Sequence, residues 1–333
     1  MPLSKANAFD RGFFFRRFIA VRGIDVVALG GNAIIPNKGT GTIEEQRLLT
    51  DTSMSQVADL IAAGRKVIVT HGNGPIVGNI VERNEAVKDR IPPMPLDVCD
   101  ADSQGGIGYM IQQSLRNELL AKGFVRDVVS LVSQVVVSKD DEAFAHPTKP
   151  IGLFYSESEA RELERDKGYR MVFDANRGWR RVVPSPNPLE IVEAGVISKL
   201  LKLDVVVIAV GGGGVPVVRE GNRLAGVEAV IDKDLAAAVL ARMVGAERLI
   251  ILTSVPEVYV GFGTAAQKAL RRVKVAEVRR HRDAGEFHAG SMGPKIEAAI
   301  RFIESGGKRV IISEATKLLE ACEGAAGTHI LPD

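Results

Sequence analysis

From Ile24 onward the chain alternates short β-branched runs with stretches of helical spacing, and tight glycine turns sit at the joints. Residues 24–29 form an apolar run that stops at Gly30-Gly31, and residues 44–63 then carry Leu49, Val57, Leu60 and Ile61 at helical spacing up to Gly64. A second strand is predicted over 66–69, ending at His71-Gly72-Asn73-Gly74-Pro75, then a helix over 103–122 and one or two strands over 127–137. Residues 204–210 are almost continuously apolar, as a strand buried on both faces requires. A helix over 234–244, a strand over 248–252, a helix over 295–305 and a strand over 309–312 complete the series. In the last helix Ile296, Ala299, Ile300 and Ile303 share one face. Strand, glycine turn, helix: repeated in this order, the pattern predicts a mainly parallel open sheet covered by helices. Ligands in such folds bind at the carboxyl ends of the strands, where the glycines gather.

Residues 139–188 break the rhythm. They hold five of the 15 prolines, the single tryptophan and a dense charge mixture, and read as an excursion or small subdomain inserted into the α/β core. Residues 1–22 mix phenylalanines with arginines; two arginines interrupt the apolar stretch and no small-residue cleavage site follows, so they read as an N-terminal extension rather than a targeting peptide.

Bulk properties exclude several classes. A net charge of +2 gives no basic surface for nucleic acid. No apolar run is long enough for a membrane helix. Two cysteines far apart and five scattered histidines offer neither a disulfide framework nor transition-metal spacing, and the cysteine count fits a reducing compartment.

Three glycine turns follow strands: Gly30-Gly31-Asn32, Gly72-Asn73-Gly74, and the run from Gly211 to Gly214. Without a Cβ, such turns let backbone N–H groups converge on an anion, although any one of them could exist only to turn the chain. Three in register favour a phosphate or carboxylate site. The known nucleotide loops do not fit. A Walker A loop is absent, and Gly306-Gly307-Lys308 is followed by Arg309. The run Gly72-Asn73-Gly74-Pro75-Ile76-Val77-Gly78 superficially matches a dinucleotide fingerprint, but the proline-rich segment 90–95 replaces the strand that should follow.

Lysines supply the next layer. Lys295 stands at a predicted helix start behind Pro294, where a cation opposes the helix dipole unless an anion binds there. Lys233 lies in Asp232-Lys233-Asp234 at another helix start; Asp234 either caps that helix or orients the two lysines. Lys149 is stiffened by flanking residues in Pro147-Thr148-Lys149-Pro150. Phosphoryl transfer needs such an inventory: positioning, positive charge around the in-line oxygens, and magnesium carried on the nucleotide phosphates.

Together these stretches resemble the carbamate kinases of the amino acid kinase family, from about Val26 to Ile312. The resemblance runs through Val27-Ala28-Leu29-Gly30-Gly31-Asn32-Ala33, His71-Gly72-Asn73-Gly74-Pro75, Ser103-Gln104-Gly105 and Pro147-Thr148-Lys149-Pro150-Ile151-Gly152. It continues through Arg177-Gly178-Trp179-Arg180, Gly211-Gly212-Gly213-Gly214-Val215-Pro216, Asp232-Lys233-Asp234 and Gly290-Ser291-Met292 with Pro294-Lys295. It implies a three-layer α/β/α sandwich, homodimeric and cytoplasmic, with a substrate lobe over about 23–203, a protruding subdomain over about 139–188 and a nucleotide lobe over about 204–333. It implies reversible transfer between ATP and carbamate, giving ADP and carbamoyl phosphate, within arginine metabolism.

Residue by residue, Gly30, Gly31, Asn32, Gly72 and Asn73 match the acyl-phosphate cradle. Lys149 matches the lysine extended over the substrate. Lys233 and Lys295 match the ATP-phosphate lysines, with Asp234 organising them. Gly211, Gly212, Thr253, Ser291 and Met292 complete the implied nucleotide site. The chain departs from the family pattern at Ser254, Pro256-Glu257, Gly261 and Ala265-Ala266, and Asp100 and Asp102 add acid to a usually more neutral stretch. The alternatives are a related kinase of a larger carboxylate such as N-acetylglutamate, a non-catalytic nucleotide sensor and, more distantly, a dinucleotide oxidoreductase.

Overall fold

Val26 and Ala28 face one side of the central strand, and Val27 and Leu29 face the other, all essentially without solvent contact. That alternation sets the architecture, because both faces of the sheet need cover. The structure, a computed structural model, describes residues 22–34, 41–174, 177–288 and 290–333. The expected extension over 1–22 lies outside these residues except for Arg22, which opens the first strand.

In chain order, β1 (Arg22–Leu29) leads to α1 (Ile43–Ala62), β2 (Arg65–His71), α2 (Gly74–Ala86), α3 (Leu96–Ala121), β3 (Val128–Ser130) and β4 (Gln134–Val136). Then come β5 (Lys149–Tyr155), α4 (Glu157–Lys167), β6 (Arg170–Asp174), β7 (Gly178–Val183), β8 (Glu190–Ile191), α5 (Ala194–Lys202) and β9 (Val206–Ile208). The remainder is β10 (Val215–Glu220), β11 (Arg223–Gly226), α6 (Lys233–Met243), β12 (Arg248–Thr253), β13 (Val258–Val260), β14 (Lys268–Leu270) and β15 (Arg272–Lys274). After these come α7 (Val275–Asp283), α8 (Met292–Glu304), β16 (Arg309–Glu314), α9 (Leu318–Glu323) and β17 (Thr328–Leu331).

The main sheet has eight strands in the order β15-β17-β16-β12-β1-β2-β9-β3. Every pairing in it is parallel except β16 with β17. Helices α5, α6, α7 and α8 pack on one face and α1, α3 and α9 on the other, so the fold is the three-layer α/β/α sandwich. The parallel strands β1, β2, β9 and β12 end at one rim, followed by Gly30, Gly72, Gly211 and Ser254.

Three elements differ from the sequence expectation. Helix α3 begins at Leu96 rather than near 103, because Pro95 occupies its N-cap and Leu96 and Cys99 extend the buried stripe upstream. Helix α2 follows the Gly72-Asn73-Gly74-Pro75 turn directly, with Pro75 in its first turn; only Val77 and Gly78 are buried, too few for a visible periodicity. Strand β9 is shorter than 204–210, since Asp204 (φ 65°) and Val210 (φ 55°) both adopt the left-handed conformation.

The excursion carries an antiparallel three-stranded sheet, β5-β7-β6, with α4 against it. It leans on the main body where β5 meets α2: a Cβ on Gly78 would fall 2.2 Å from Gly152 Cα, so the two backbones touch. Val77, Leu96, Cys99, Ile151, Val183 and Val230 form the small apolar cluster under this contact. Rigid attachment at that point fixes where the first residue of β5, Lys149, can reach.

Candidate active site

Three helices begin at the sheet rim, and their N-termini surround one cleft of about 500 Å³. Helix α2 contributes Asn73, Gly74 and Pro75, α6 contributes Lys233 and Asp234, and α8 contributes Ser291, Pro294 and Lys295. Each start exposes backbone N–H groups without an intrahelical acceptor and the positive end of a dipole, so the rim is biased toward anions before any side chain is counted.

Asp232 is the N-cap of α6, accepting from the backbone of Asp234 at 2.9 Å and Leu235 at 3.3 Å. Capping therefore falls to Asp232, which leaves Asp234 to organise cations. Asp234 Oδ1 accepts from Lys233 Nζ at 2.5 Å and Oδ2 from Lys295 Nζ at 3.1 Å. Burial pushes the Asp234 carboxyl up, but the two ammonium groups outweigh it and hold the acid down at about 2. Burial also pulls Lys233 below the ordinary lysine range, against the attraction of Asp234. Lys149, arriving from β5, donates to Asp232 Oδ2 at 2.7 Å. The three lysines thus meet over two neighbouring aspartates at the start of one helix.

The floor is peptide. Gly31, Gly72 and Gly212 line it, and a Cβ on Gly72 would lie 3.1 Å from the Lys233 side chain and 3.6 Å from the Gly31 nitrogen. Asn32 falls in the turn Gly31–Ala33. Two expected residues do not reach the cleft. Gly30 is packed behind it, where a Cβ would meet the Leu252 carbonyl at 2.7 Å; Gly211 is buried against His71, 2.4 Å from where its Cβ would be. Both are glycine for close packing. Thr253 and Met292 lie in a neighbouring pocket of about 130 Å³ with Ser254, Val255, Tyr259, Phe262 and Phe287, and Ser291 lines both spaces.

Four residues in or behind the cleft lie inside quoted motifs but carry no role in the sequence reading. Arg177 and Arg180 line the cleft from the excursion, their guanidinium groups 4.7 and 5.0 Å from the centre of the Phe154 ring. Asp232 pairs with Lys149 as above. His71 is fully buried, its Nδ1 3.2 Å from the Gly72 carbonyl, and burial holds it neutral with a pKa down at about 4. The first two sit inside the quoted Arg177-Gly178-Trp179-Arg180 stretch, so that signal was available; His71 reads as a packing residue in any one-dimensional view.

An open α/β sandwich with lysines, helix N-termini and glycine turns converging on one rim is the design of a phosphoryl-transfer enzyme rather than a dinucleotide oxidoreductase. The chain belongs to the amino acid kinase family, whose sequence profile matches residues 24–313. Its relatives narrow this further. It is 50% identical over 309 residues to the carbamate kinase of Pyrococcus horikoshii, covering 92% of this chain and 98% of that one. It is 46% identical over 310 residues to the carbamate kinase of Clostridium perfringens, covering 92% and 99%. Among solved structures, the carbamate kinase of Giardia lamblia bound to AMP-PNP superposes with a TM-score of 0.87 at 43% identity, covering 93% of this chain and 99% of that one.

Proposed function

We propose that the chain is a carbamate kinase, transferring a phosphoryl group reversibly between ATP and carbamate. Near-full-length identity to carbamate kinases supports this, and the single structural observation that carries it is the meeting of Lys149, Lys233 and Lys295 over Asp232 and Asp234 above a glycine floor. The neighbouring apolar pocket at Thr253, Tyr259, Phe262 and Met292 takes the adenine, which places the polyphosphate across Ser291 toward Lys233 and Lys295. The small acid lies over Gly31, Gly72 and Asn73, under Lys149.

Transfer is in line: a carbamate oxygen attacks the γ-phosphorus and the bond to the β-phosphate oxygen breaks, ADP leaving with that electron pair. Lys149 and Lys295 neutralise charge on the migrating group, Lys233 holds the ADP side, and Asp234 fixes both nucleotide lysines before substrate arrives. Because the lysines are already in place, the positive charge costs little reorganisation at the transition state. Magnesium carried on the nucleotide phosphates would supply further charge screening there, beside Lys233 and Lys295. Both oxygens of Asp234 are engaged by lysines, and no group of three His, Cys, Asp or Glu side chains with ligating geometry occurs among the described residues.

The family resemblance supports two further parts of the reading, a homodimer and a cytoplasmic place in arginine metabolism. No described helix is long and apolar enough to cross a membrane. A related kinase of a larger carboxylate is the main competitor. ATP formation from ADP and carbamoyl phosphate, compared with N-acetylglutamyl phosphate, separates the two: carbamoyl phosphate is the better phosphoryl donor by at least tenfold. Failure of carbamoyl phosphate to support ATP formation overturns the assignment.

A further inference from the structure

Beneath the glycine floor, Asn73 occupies the N-cap of α2 but does not cap it. Its amide is turned inward: Nδ2 donates to Asp100 Oδ1 at 2.5 Å and to Ser103 Oγ at 2.7 Å. The Ser103 hydroxyl donates its own hydrogen to the Asp100 carbonyl at 2.7 Å, so it can only accept from Asn73. That fixes which end of the amide is nitrogen, whatever the protonation of Asp100. Both amide hydrogens are therefore engaged. Gly212, itself part of the floor, packs directly on the arrangement, since a Cβ there would fall 2.2 Å from Asn73 Nδ2 and 2.8 Å from Asp100 Oδ1.

What remains of Asn73 is an acceptor. It lines the cleft, no hydrogen bond to its Oδ1 occurs among the described residues, and that atom is not fully enclosed. The other strongly polar side chains described around the cleft are the cations Lys149, Lys233, Lys295, Arg177 and Arg180, and the two aspartates that pair with lysines. A lone amide carbonyl is out of place in a site built to hold an anion, unless the anion also carries a donor.

We propose that Asn73 Oδ1 accepts a hydrogen bond from the amino group of carbamate or carbamoyl phosphate, and that Asp100 and Ser103 are positioning residues that keep the carbonyl turned toward it. This deepens the carbamate kinase reading and rests on it. The donors of the site serve the carboxylate and phosphoryl oxygens; Asn73 reads the feature that separates carbamate from acetate, its N–H hydrogens. Burial pushes the Asp100 carboxyl up to about 8, so at neutral pH it stands as a neutral acid that accepts from Asn73 without repelling an incoming anion.

Acetyl phosphate tests the idea, because it replaces the amino group by a methyl group of similar shape. ATP formation from ADP is measured with both donors for wild type, Asn73→Ala, Asp100→Asn and Asp100→Ala. In Asn73→Ala the preference for carbamoyl over acetyl phosphate in kcat/KM falls by roughly tenfold to a hundredfold, the range of a hydrogen bond lost by a desolvated partner. Asp100→Asn retains an acceptor for Asn73 and keeps the preference within about threefold of wild type. Asp100→Ala releases the amide and lowers the preference. Each ratio is taken within one preparation, so partial unfolding cancels. Equal losses with both donors in Asn73→Ala overturn the amino-group contact, and an unchanged ratio in Asp100→Ala overturns the positioning role. A wild-type protein inactive with carbamoyl phosphate overturns the carbamate kinase reading itself.

Discussion

Lys295 Nζ stands 3.1 Å from Asp234 Oδ2 although 61 positions separate the two residues, which makes the carboxylate a joint between helices α6 and α8. Asp234 has almost no solvent exposure, and Lys233 occupies its other oxygen. The pair is preorganised: the cations are aimed before nucleotide arrives. Asp234→Asn keeps the shape and removes the charge, so the two ammonium groups lose the anchor that aims them. We expect kcat to fall about 100-fold to 1,000-fold, as when one electrostatic contact to a transition state is lost. Steady-state rates in the ATP-forming direction check this. A kcat within threefold of wild type would refute an organising role for Asp234.

The strands of the main sheet were legible because β1, β2, β12 and β16 are apolar on both faces and end at glycines or polar residues, a pattern that needs no tertiary information. Helix α2 was not, since it buries too little to show a period and opens on a proline that equally signals a turn. Within the site, Lys149, Lys233, Asp234 and Lys295 stood out because each combines an unusual local setting with a motif. Asp100 and Ser103 lie 27 and 30 positions from Asn73; the sequence marks Asp100 as an added acid and Ser103 as part of a matching stretch, but only the close approach of α3 to the Gly72 turn gives them a task. Gly30 and Gly211 illustrate the opposite case. The turn chemistry was correctly visible, but whether a glycine faces a ligand or a neighbouring backbone is decided in three dimensions.

Lys149 reaches the cleft from the excursion rather than from the main sheet, and Asp232 holds it at 2.7 Å. Its side chain is one-third exposed, more than those of Lys233 and Lys295, which suits a group that closes over a small substrate. Lys149→Ala therefore raises KM for carbamoyl phosphate about tenfold or more while moving KM for ADP by less than about threefold, the contact to a charged substrate being worth roughly 1.5–3 kcal/mol. Lys149→Arg restores only part of the loss, because a planar guanidinium does not reproduce a point charge. Equal increases in both KM values would place Lys149 outside the acyl-phosphate subsite.

Asp100 also predicts a pH signature for stability. Its carboxyl is raised from 3.8 to about 8 in the folded protein, by burial first and by Asp97 in addition, with the Asn73 hydrogen bond opposing. The unfolded chain releases this proton near 4 while the folded chain keeps it, so this group makes the fold progressively less stable as pH rises from about 4 to about 8. Above that window the slope vanishes. Asp100→Asn removes the titration, and the variant gains on the wild type as pH increases. Urea midpoints at pH 5 and pH 8 measure it: the wild type loses more between the two than the variant does. Parallel behaviour of the two proteins would show that Asp100 titrates normally.

At the opposite end of the sheet from the cleft, Asp25 is completely buried near the start of β1 and serves two arginines at once. Arg65 of β2 donates through Nε at 2.8 Å and Nη2 at 2.5 Å, and Arg248 of β12 does the same at 2.8 and 2.5 Å. One carboxylate thus ties the three central strands together. Asp25→Ala leaves two guanidinium groups facing each other with only the longer 3.4 Å contact of Arg65 to the partly exposed Glu247 as counter-charge, and removing one partner of a buried ionic cluster costs about 3–5 kcal/mol. Replacing all three residues by apolar side chains of similar volume costs less than the single change, because no uncompensated charge is left behind. The reacting groups sit at the other rim, so kcat of the folded Asp25→Ala fraction stays within about twofold of wild type while its urea midpoint falls sharply. A loss of turnover as large as the loss of stability would mean that the two ends of the sheet are coupled, and that Asp25 does more than hold strands.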